Sequence, residues 1–322
     1  MTIFIDKDLP AFDILKSEGR NIGINPIHNQ KVYEIGILNL MPNKADTETH
    51  LIRALSDADV EARITWLSLD SHVTKNTSPE HMAKFYQSWK TQANRRFDGL
   101  ISTGASIDHL PFEDVTYWSE LKEYLDWSDE ATLDEVSICW SAMGRMNHNH
   151  GIEKEVLEKK IFGVYDQSHT GIKSKLMQNF SNAGEARAPV GRIARVNPSE
   201  ISKAPNIKVL LQSDITGVSL AVENKGNKQI VYIFDHPEYE AHTLDAEYNR
   251  DLGKGELEVA IPENYYPNND PSQPPKATWL QYRSLYSNWL NAVAARQESP
   301  QEQTVPTGLS GGNLVAGLHP LR

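Results

Sequence analysis

The sequence predicts an α/β fold in which a mostly parallel sheet carries helices on both faces. In the first half of the chain, short apolar runs typical of buried strands alternate with segments whose apolar residues recur every three or four positions, as along an amphipathic helix. Strand alternating with helix is the pattern of a covered parallel sheet. After residue 151, short β-rich runs follow one another, so some complete this sheet and others can pair antiparallel at its edge.

The predicted elements follow in order along the chain. The first four strands span residues 32–40, 62–69, 97–103 and 135–138, and the helices between them span 46–55, 79–89 and 114–124. The later β-rich runs are 160–165, 191–196, 207–212, 217–222 and 229–234, followed by a helix at 241–252, a proline-rich loop at 261–276 and an amphipathic helix at 278–295. We therefore expect one domain over residues 1–296 and a disordered tail over 297–322, where Pro, Gln, Gly and Ser dominate.

Composition narrows the class of function. A formal net charge of -11 argues against a nucleic-acid surface, which needs clustered Lys and Arg. No apolar run approaches the roughly 18 residues of a membrane span, and the N-terminal residues lack the apolar core of a secretory signal. A single cysteine cannot form an internal disulfide, which fits a reducing compartment. We expect a cytoplasmic protein that binds small molecules and neither nucleic acid nor membrane.

Two strand ends carry residues typical of nucleophilic catalysis. Cys139 lies between the run 136–138 and a helix expected to begin at Trp140, where free N–H groups favour a thiolate and can bind an oxyanion. His236 follows another apolar run and precedes Glu238 by two residues, so it can be a general base held by a carboxylate. Each residue alone can be merely structural, but the two together indicate a cysteine nucleophile with a histidine base.

The other candidate residues have plainer alternatives. Lys44 follows the first strand and can bind a phosphate or face an oxyanion, although it can also be an exposed loop lysine. Gly104 lies in a small-residue turn that lets a ligand approach the backbone, but the turn matches neither the dinucleotide-binding pattern nor the P-loop. His148 and His150 are two residues apart on a predicted helix and do not share a face, so no metal site is predicted.

Specific motifs run in order from residue 8 to residue 292. They are residues 8–12, 37–42 with Lys44, 47–49, 97–101, 103–105, 109–113, 138–140, 162–164, 236–239, 250–252, 264–267 and 287–290. Together they resemble the homoserine O-acyltransferase family of the transsuccinylase type. The resemblance implies a fold similar to class I glutamine amidotransferases, acetyl-CoA or succinyl-CoA as the acyl donor, no bound cofactor, and a homodimer.

The resemblance also assigns the catalytic roles. It implies that Cys139 is the nucleophile that accepts the acyl group, with His236 as the base and Glu238 as the residue that orients the imidazole. The oxyanion would be held by Lys44 and by the main-chain amide of Trp140.

The substrate contacts implied by the resemblance lie around the same strand ends. Arg250 and Arg192 would bind the acceptor amino acid, and Gly104 would lie in the turn beside the substrate. Asp108 occupies the position where, in the family, glutamate accompanies acetyl-CoA and glycine accompanies succinyl-CoA. Because an acidic side chain repels a succinyl carboxylate, the sequence favours acetyl-CoA.

The acceptor side departs from the family pattern at residues 141–143, 165–167, 189–192 and 234–235. The catalytic positions persist while the lining changes, which suggests the same chemistry on homoserine or on an altered acceptor such as serine. The first would belong to methionine biosynthesis and the second to cysteine biosynthesis. Two other classes stay open: a glutamine amidotransferase-like cysteine hydrolase, and a catalytically silent binding protein with the same fold.

Overall fold

The structure is a computed structural model that describes residues 1–27, 31–182, 184–204, 206–254 and 259–298. Its helices are α1 (Pro10–Ser17), α2 (Lys44–Leu55), α3 (Pro79–Phe85), α4 (Trp118–Ala131), α5 (Trp140–His150), α6 (Pro198–Ile201), α7 (Thr243–Gly253), α8 (Leu280–Arg283) and α9 (Leu285–Glu298). Its strands are β1 (Ile3–Phe4), β2 (Ile22–Gly23), β3 (Val32–Leu38), β4 (Glu61–Ser68), β5 (Tyr86–Ser88), β6 (Gly99–Ser102), β7 (Asp134–Ile138), β8 (Lys154–Asp166), β9 (Ser168–His169), β10 (Arg187–Val196), β11 (Ile207–Ser213), β12 (Gly217–Lys225) and β13 (Lys228–Ile233).

One large sheet dominates the described part of the chain. Its strand order is β2-β1-β4-β3-β6-β7-β13-β12-β11-β9, with β5 paired to β4. Neighbours are parallel from β2 through β13, whereas β12, β11 and β9 extend the sheet antiparallel. The predicted mostly parallel α/β sheet is therefore confirmed. The β-rich runs 160–165 and 191–196 instead pair with each other, as β8 and β10 of a separate two-stranded sheet.

Helices cover both faces of the large sheet because successive strand residues point to opposite sides. Ile35 and Ile37 of β3 pack in one core with residues of α1, α2 and α9. Leu38 packs in a second core, on the other face, with residues of α4 and α5. The two cores fix the sheet from both sides, as the alternating pattern predicts.

The carboxyl ends of β3, β6, β7 and β13 lie side by side at one edge of the sheet. Ile138, the last residue of β7, is paired with Ile233, the last residue of β13. Segments far apart in sequence therefore leave the sheet next to each other. In open parallel sheets this is the edge at which ligands bind.

Several predicted helix boundaries differ from the structure. The helix predicted over 79–89 ends at Phe85, because Tyr86 is buried, starts a strand beside β4 and donates its hydroxyl to Glu48 over 2.6 Å. The helix predicted over 114–124 begins later, at Trp118, and the last predicted helix is divided into α8 and α9 at Ser284.

The C-terminal boundary differs by two residues. Helix α9 extends through Glu298, so it includes the first two residues of the predicted tail. The rest of that tail lies outside the described residues, and the single domain over 1–296 stays a prediction. Among the described residues, no helix has both the length and the apolar character that crossing a membrane requires.

Candidate active site

Cys139 occupies a sharp turn between β7 and α5. Its backbone has φ 49° and ψ -112°, a conformation that L-residues seldom adopt and that costs on the order of 1–3 kcal/mol. Two main-chain hydrogen bonds hold the turn: Cys139 N–H donates to Ile233 O over 2.6 Å, and Cys139 O accepts from Met143 N–H over 3.1 Å. The turn places the thiol at the wall of a cavity, directly before the first N–H groups of α5.

His236 and Glu238 form a buried pair beside this turn. The Nδ1 atom of His236 lies 2.7 Å from Oε1 of Glu238, and both residues are only 4% exposed. His236 also stacks on Tyr239, with ring centroids 4.4 Å apart. The carboxylate therefore fixes one ring nitrogen, which leaves Nε2 for the thiol.

The electrostatics of the pair favour an ionised state. Burial lowers the pKa of His236, but the charge of Glu238 and the charge and hydrogen bond of Cys139 outweigh it and raise the pKa well above its ordinary value. Burial raises the pKa of Glu238, but the charge and hydrogen bond of His236 hold it below its ordinary value. These two directions favour an imidazolium at His236 paired with a carboxylate at Glu238.

Gly104 allows the close approach of these groups. A Cβ atom at Gly104 would lie 3.1 Å from Cβ of Cys139 and 3.6 Å from Cε1 of His236. The turn after β6 is thus packed against both catalytic side chains, and a larger residue would crowd them. The structure brings together three of the predicted site residues at this point.

A cavity of about 730 Å³ opens in front of Cys139 and His236. Its wall also contains four cationic and three acidic side chains: Lys160, Arg192, Arg250, Lys254, Asp108, Glu247 and Asp251. A cavity with both charges close to a nucleophile suits a small zwitterion such as an amino acid.

The two predicted acceptor-binding arginines have different surroundings. Arg250 is about half exposed at the cavity wall, its Nε donates to Asp251 over 2.8 Å, and its terminal nitrogens have no partner among the described residues. Arg192 is 2% exposed, and its terminal nitrogens donate to Asp235 over 2.7 Å and to the carbonyls of Phe234 and Thr216. Among the three guanidinium nitrogens of Arg192, Nε alone has no hydrogen-bond partner in the described structure. Arg250 is therefore the freer anion-binding group.

Asp108 lines the cavity and is also held by the backbone. Its Oδ2 accepts from the N–H groups of Ile193 and Ala194, over 2.6 and 3.1 Å, at the bulge of β10. Lys154 donates to its carbonyl oxygen over 2.8 Å. The carboxylate is thus fixed in orientation at the position that the resemblance links to donor choice.

Lys44 and Trp140, the two predicted oxyanion residues, both lie in buried positions. The ammonium of Lys44 is 1% exposed, donates to the carbonyls of Asn39 and Met41 over 2.6 and 3.4 Å, and is not among the residues that line the cavity. Burial lowers the pKa of Lys44 to about 8, against the opposing charge of Glu48. Trp140 begins α5 with its side chain fully buried, so only its main chain can face a ligand.

His148 and His150 have separate carboxylate partners, Asp126 at 2.7 Å and Glu223 at 3.0 Å. No group of three or more His, Cys, Asp or Glu side chains arranged to hold a metal occurs in the part of the chain that the structure describes.

Several residues of the site have no sequence signal that marks them. Tyr286 of α9 donates its hydroxyl to Oε2 of Glu238 over 2.7 Å, and Glu247 of α7 accepts from Tyr239 over 3.0 Å at the cavity wall. Lys160 reaches the cavity from β8. Asp235 is marked in the sequence as a departure from the family pattern. Its ion pair with Arg192 could be found only from the tertiary structure.

Comparisons with known proteins agree with this geometry. The model of the homoserine O-succinyltransferase family matches residues 2–300. A homoserine O-acetyltransferase of Geobacillus kaustophilus is 40% identical over 94% of this chain and 99% of its own length. A homoserine O-acetyltransferase of Rhizobium rhizogenes is 38% identical over 91% of this chain and 95% of its own length.

Solved structures are similar in fold at low sequence identity. A glutamine amidotransferase of Thermotoga maritima has a TM-score of 0.50 and 11% identity, over 83% of this chain and 99% of its own. A glutamine amidotransferase of Methylobacillus flagellatus has a TM-score of 0.50 and 13% identity, over 83% of this chain and 94% of its own. The expected class I glutamine amidotransferase-like fold is confirmed.

Proposed function

Because the chain belongs to the homoserine O-succinyltransferase family, we propose that it is an acyltransferase that moves an acetyl group from acetyl-CoA to the hydroxyl of L-homoserine, in methionine biosynthesis. The observation that carries the proposal is the buried array of Cys139, His236 and Glu238 at the wall of a charged cavity. This array supplies a nucleophile, a base and an orienting carboxylate in the order that acyl transfer needs.

The proposed cycle has two steps, which gives ping-pong kinetics. The Cys139 thiolate attacks the thioester carbonyl, the carbon–sulfur bond to CoA breaks, and the His236 imidazolium protonates the leaving CoA thiolate. In the second step neutral His236 takes the proton of the acceptor hydroxyl while its oxygen attacks the acyl-Cys139. The ester leaves, and the thiolate and imidazolium are restored.

In both steps the tetrahedral intermediate needs donors for its oxyanion. The main-chain N–H of Trp140, at the start of α5, supports this role, since the first N–H groups of a helix have no intrahelical acceptor. For Lys44 the oxyanion role rests on the family resemblance, because its ammonium bonds to Asn39 and Met41 in this structure.

Substrate binding follows from the charges at the cavity wall. Arg250 would bind the acceptor carboxylate, and Glu247 lies close enough on the same helix to face its ammonium group. Asp108, held at the β10 bulge, disfavours the second carboxylate of a succinyl donor, which supports acetyl-CoA. The ion pair of Arg192 with Asp235 removes one cation from the acceptor side. Serine, one methylene shorter than homoserine, stays the second candidate acceptor because the lining departs from the family pattern there.

Two further expectations belong to the proposal. A nucleophilic thiol must stay reduced, which supports a cytoplasmic location. A homodimer is expected from the family resemblance, and sedimentation equilibrium would measure it.

The decisive experiment combines acyl-enzyme detection with a substrate comparison. Incubation with acetyl-CoA alone should trap an acetyl group on Cys139, seen by intact-protein mass spectrometry, and homoserine should discharge it. CoA release is then compared for acetyl-CoA and succinyl-CoA against homoserine and serine, and ammonia release is measured with glutamine to detect an amidotransferase.

The expected result for Cys139→Ala is loss of both the acyl-enzyme and the transfer, by at least about a thousandfold. Circular dichroism and thermal unfolding serve as the control for folding. Acyl transfer that survives in this variant would rule out the covalent mechanism. Donor turnover without any acceptor would indicate a hydrolase instead.

A further inference from the structure

Glu238 is held by two side chains rather than one. Its Oε1 lies 2.7 Å from Nδ1 of His236, and its Oε2 accepts a hydrogen bond of 2.7 Å from the hydroxyl of Tyr286. Tyr286 lies in the first turn of α9 and is fully buried. Each carboxylate oxygen therefore has its own buried hydrogen-bond partner.

We infer that Tyr286 is a positioning residue for the acyl transfer, because its hydroxyl keeps Glu238 oriented toward His236 and so keeps the imidazole aimed at Cys139. The inference rests on the proposed function of these three residues. Tyr286 itself touches neither substrate nor reacting atom: it acts through Glu238.

The physical reason is the geometry of a buried carboxylate. A carboxylate bonded through only one oxygen can turn about its last torsion, whereas one bonded at both oxygens is locked in plane. A hydrogen bond to the charged form also favours ionisation of a buried acid, and burial opposes it. Without the Tyr286 hydroxyl, the buried Oε2 atom of Glu238 would lose this hydrogen bond. The charged form of Glu238 would then be less stable, so the carboxylate would be protonated more easily.

Other titratable groups lie around His236 and Glu238. His50 of α2 interacts electrostatically with Glu238. Arg53 of the same helix interacts with His50 and is itself paired with Glu18 and Glu240. Tyr239 stacks on His236, Tyr282 of α8 bonds to Ser219, and Asp235 is paired with Arg192. None of these side chains forms a hydrogen bond to Oε2 of Glu238 among the described contacts, so removing the Tyr286 hydroxyl isolates one bond.

The test uses the single cysteine of the chain as a reporter. Cys139 is the only thiol, so its alkylation by iodoacetamide can be followed by intact mass at a series of pH values without ambiguity. Tyr286→Phe removes the hydroxyl and keeps the ring. We expect alkylation at neutral pH to slow by about tenfold, and the acid limb of its pH profile to move to higher pH. The kcat for acyl transfer should fall by a similar factor with little change in KM.

Tyr232→Phe is the matched control. Tyr232 is also fully buried and donates its hydroxyl to a buried glutamate, Glu223, over 2.5 Å, but neither residue lines the cavity. This variant should lose a comparable amount of thermal stability and keep the wild-type alkylation profile.

A wild-type profile in a folded Tyr286→Phe, or an equal shift in Tyr232→Phe, would overturn the inference. If Tyr286→Phe does not fold, Tyr286→Met, which also lacks the hydroxyl, takes its place, and a wild-type acid limb in that folded variant would overturn the inference as well. Alkylation of Cys139 requires neither an acyl donor nor an acceptor amino acid. If Tyr286→Phe shifts the alkylation profile but the wild-type protein transfers no acyl group, the proposed function is contradicted and the inference about Tyr286 is not.

Discussion

At the scale of single residues, the most informative contrast is between the two arginines of the cavity. Arg250 stands partly exposed with its terminal nitrogens directed to no internal partner, whereas Arg192 is bound on both sides by Asp235 and two carbonyls. A buried charge paired inside the protein serves mainly to satisfy its partner, and removing one member leaves the other uncompensated. The same residue type is therefore accessible to a ligand at one position and bound inside the protein at the other.

This contrast predicts different defects for the two substitutions. Arg192→Met should destabilise the protein by about 3–5 kcal/mol, because Asp235 would be left buried and unpaired. Arg250→Met should leave the melting temperature nearly unchanged and raise the acceptor KM by about tenfold or more, since it removes a charged hydrogen bond to the ligand. Thermal unfolding and steady-state kinetics of both variants check this; an equal loss of stability in the two would contradict it.

At the scale of elements, the site depends on three neighbouring strands whose carboxyl ends lie together. β6 delivers Gly104, β7 delivers Cys139 and β13 delivers His236, because these strands are neighbours and their carboxyl ends meet at one edge. Helix α5 adds the N–H groups of its first turn, and α9 adds Tyr286 from below. No single element contains the site, so small displacements between elements alter catalysis without unfolding the chain.

Gly104→Ala tests this sensitivity. The new methyl group would lie 3.1 Å from Cβ of Cys139, which is closer than an ordinary van der Waals contact. The turn after β6 must therefore move away from the turn that holds Cys139. We expect kcat to fall by about tenfold with a change of melting temperature of only a few degrees. Gly253→Ala, at the end of α7, is the control, because a Cβ there meets no atom of the described residues within 4 Å. Comparable kcat values for the two variants would argue against the predicted crowding.

At the scale of the whole molecule, the catalytic pair couples stability to pH. The pKa of Glu238 is lowered below 4.5 in the folded state, so its contribution is present above pH 4.5 and is lost as pH falls through the folded pKa. The pKa of His236 is raised well above 6.5, so its contribution is complete below pH 6.5 and is lost as pH rises through the folded pKa. The stabilising contributions of Glu238 and His236 are therefore both complete between pH 4.5 and pH 6.5.

We predict that the stability difference between wild type and Glu238→Gln passes through a maximum as pH changes. The melting temperature of wild type minus that of Glu238→Gln should be largest between about pH 4.5 and pH 6.5, and should decrease on either side. Differential scanning calorimetry from pH 4 to pH 9 measures it. The control is Glu130→Gln, a substitution at an exposed position of α4 outside the cavity wall. A difference that rises steadily with pH through this window would show that the pair is not ionised as proposed.

Local pattern was sufficient for the α/β class of the sheet and for the expectation that Cys139 and His236 follow strands. Apolar periodicity predicted the parallel sheet, since strand and helix repeats of about 2 and 3.6 residues are properties of the local backbone. The strand-end positions of Cys139 and His236 were visible for the same reason. Pattern failed at Tyr86, where pairing with β4 and the hydrogen bond to Glu48 outweigh the helical periodicity of the preceding residues.

The tertiary structure alone decided which groups meet. The pairing of Ile138 with Ile233 sets Cys139 beside His236, and the packing of α9 brings Tyr286 to Glu238, contacts that join residues distant in the chain. It also decided that Arg192 is bound to Asp235 while Arg250 faces the cavity, although the two are the same residue type. Sequence determines the chemistry that each side chain carries; burial and neighbours decide whether that chemistry is directed at a ligand or used inside the protein.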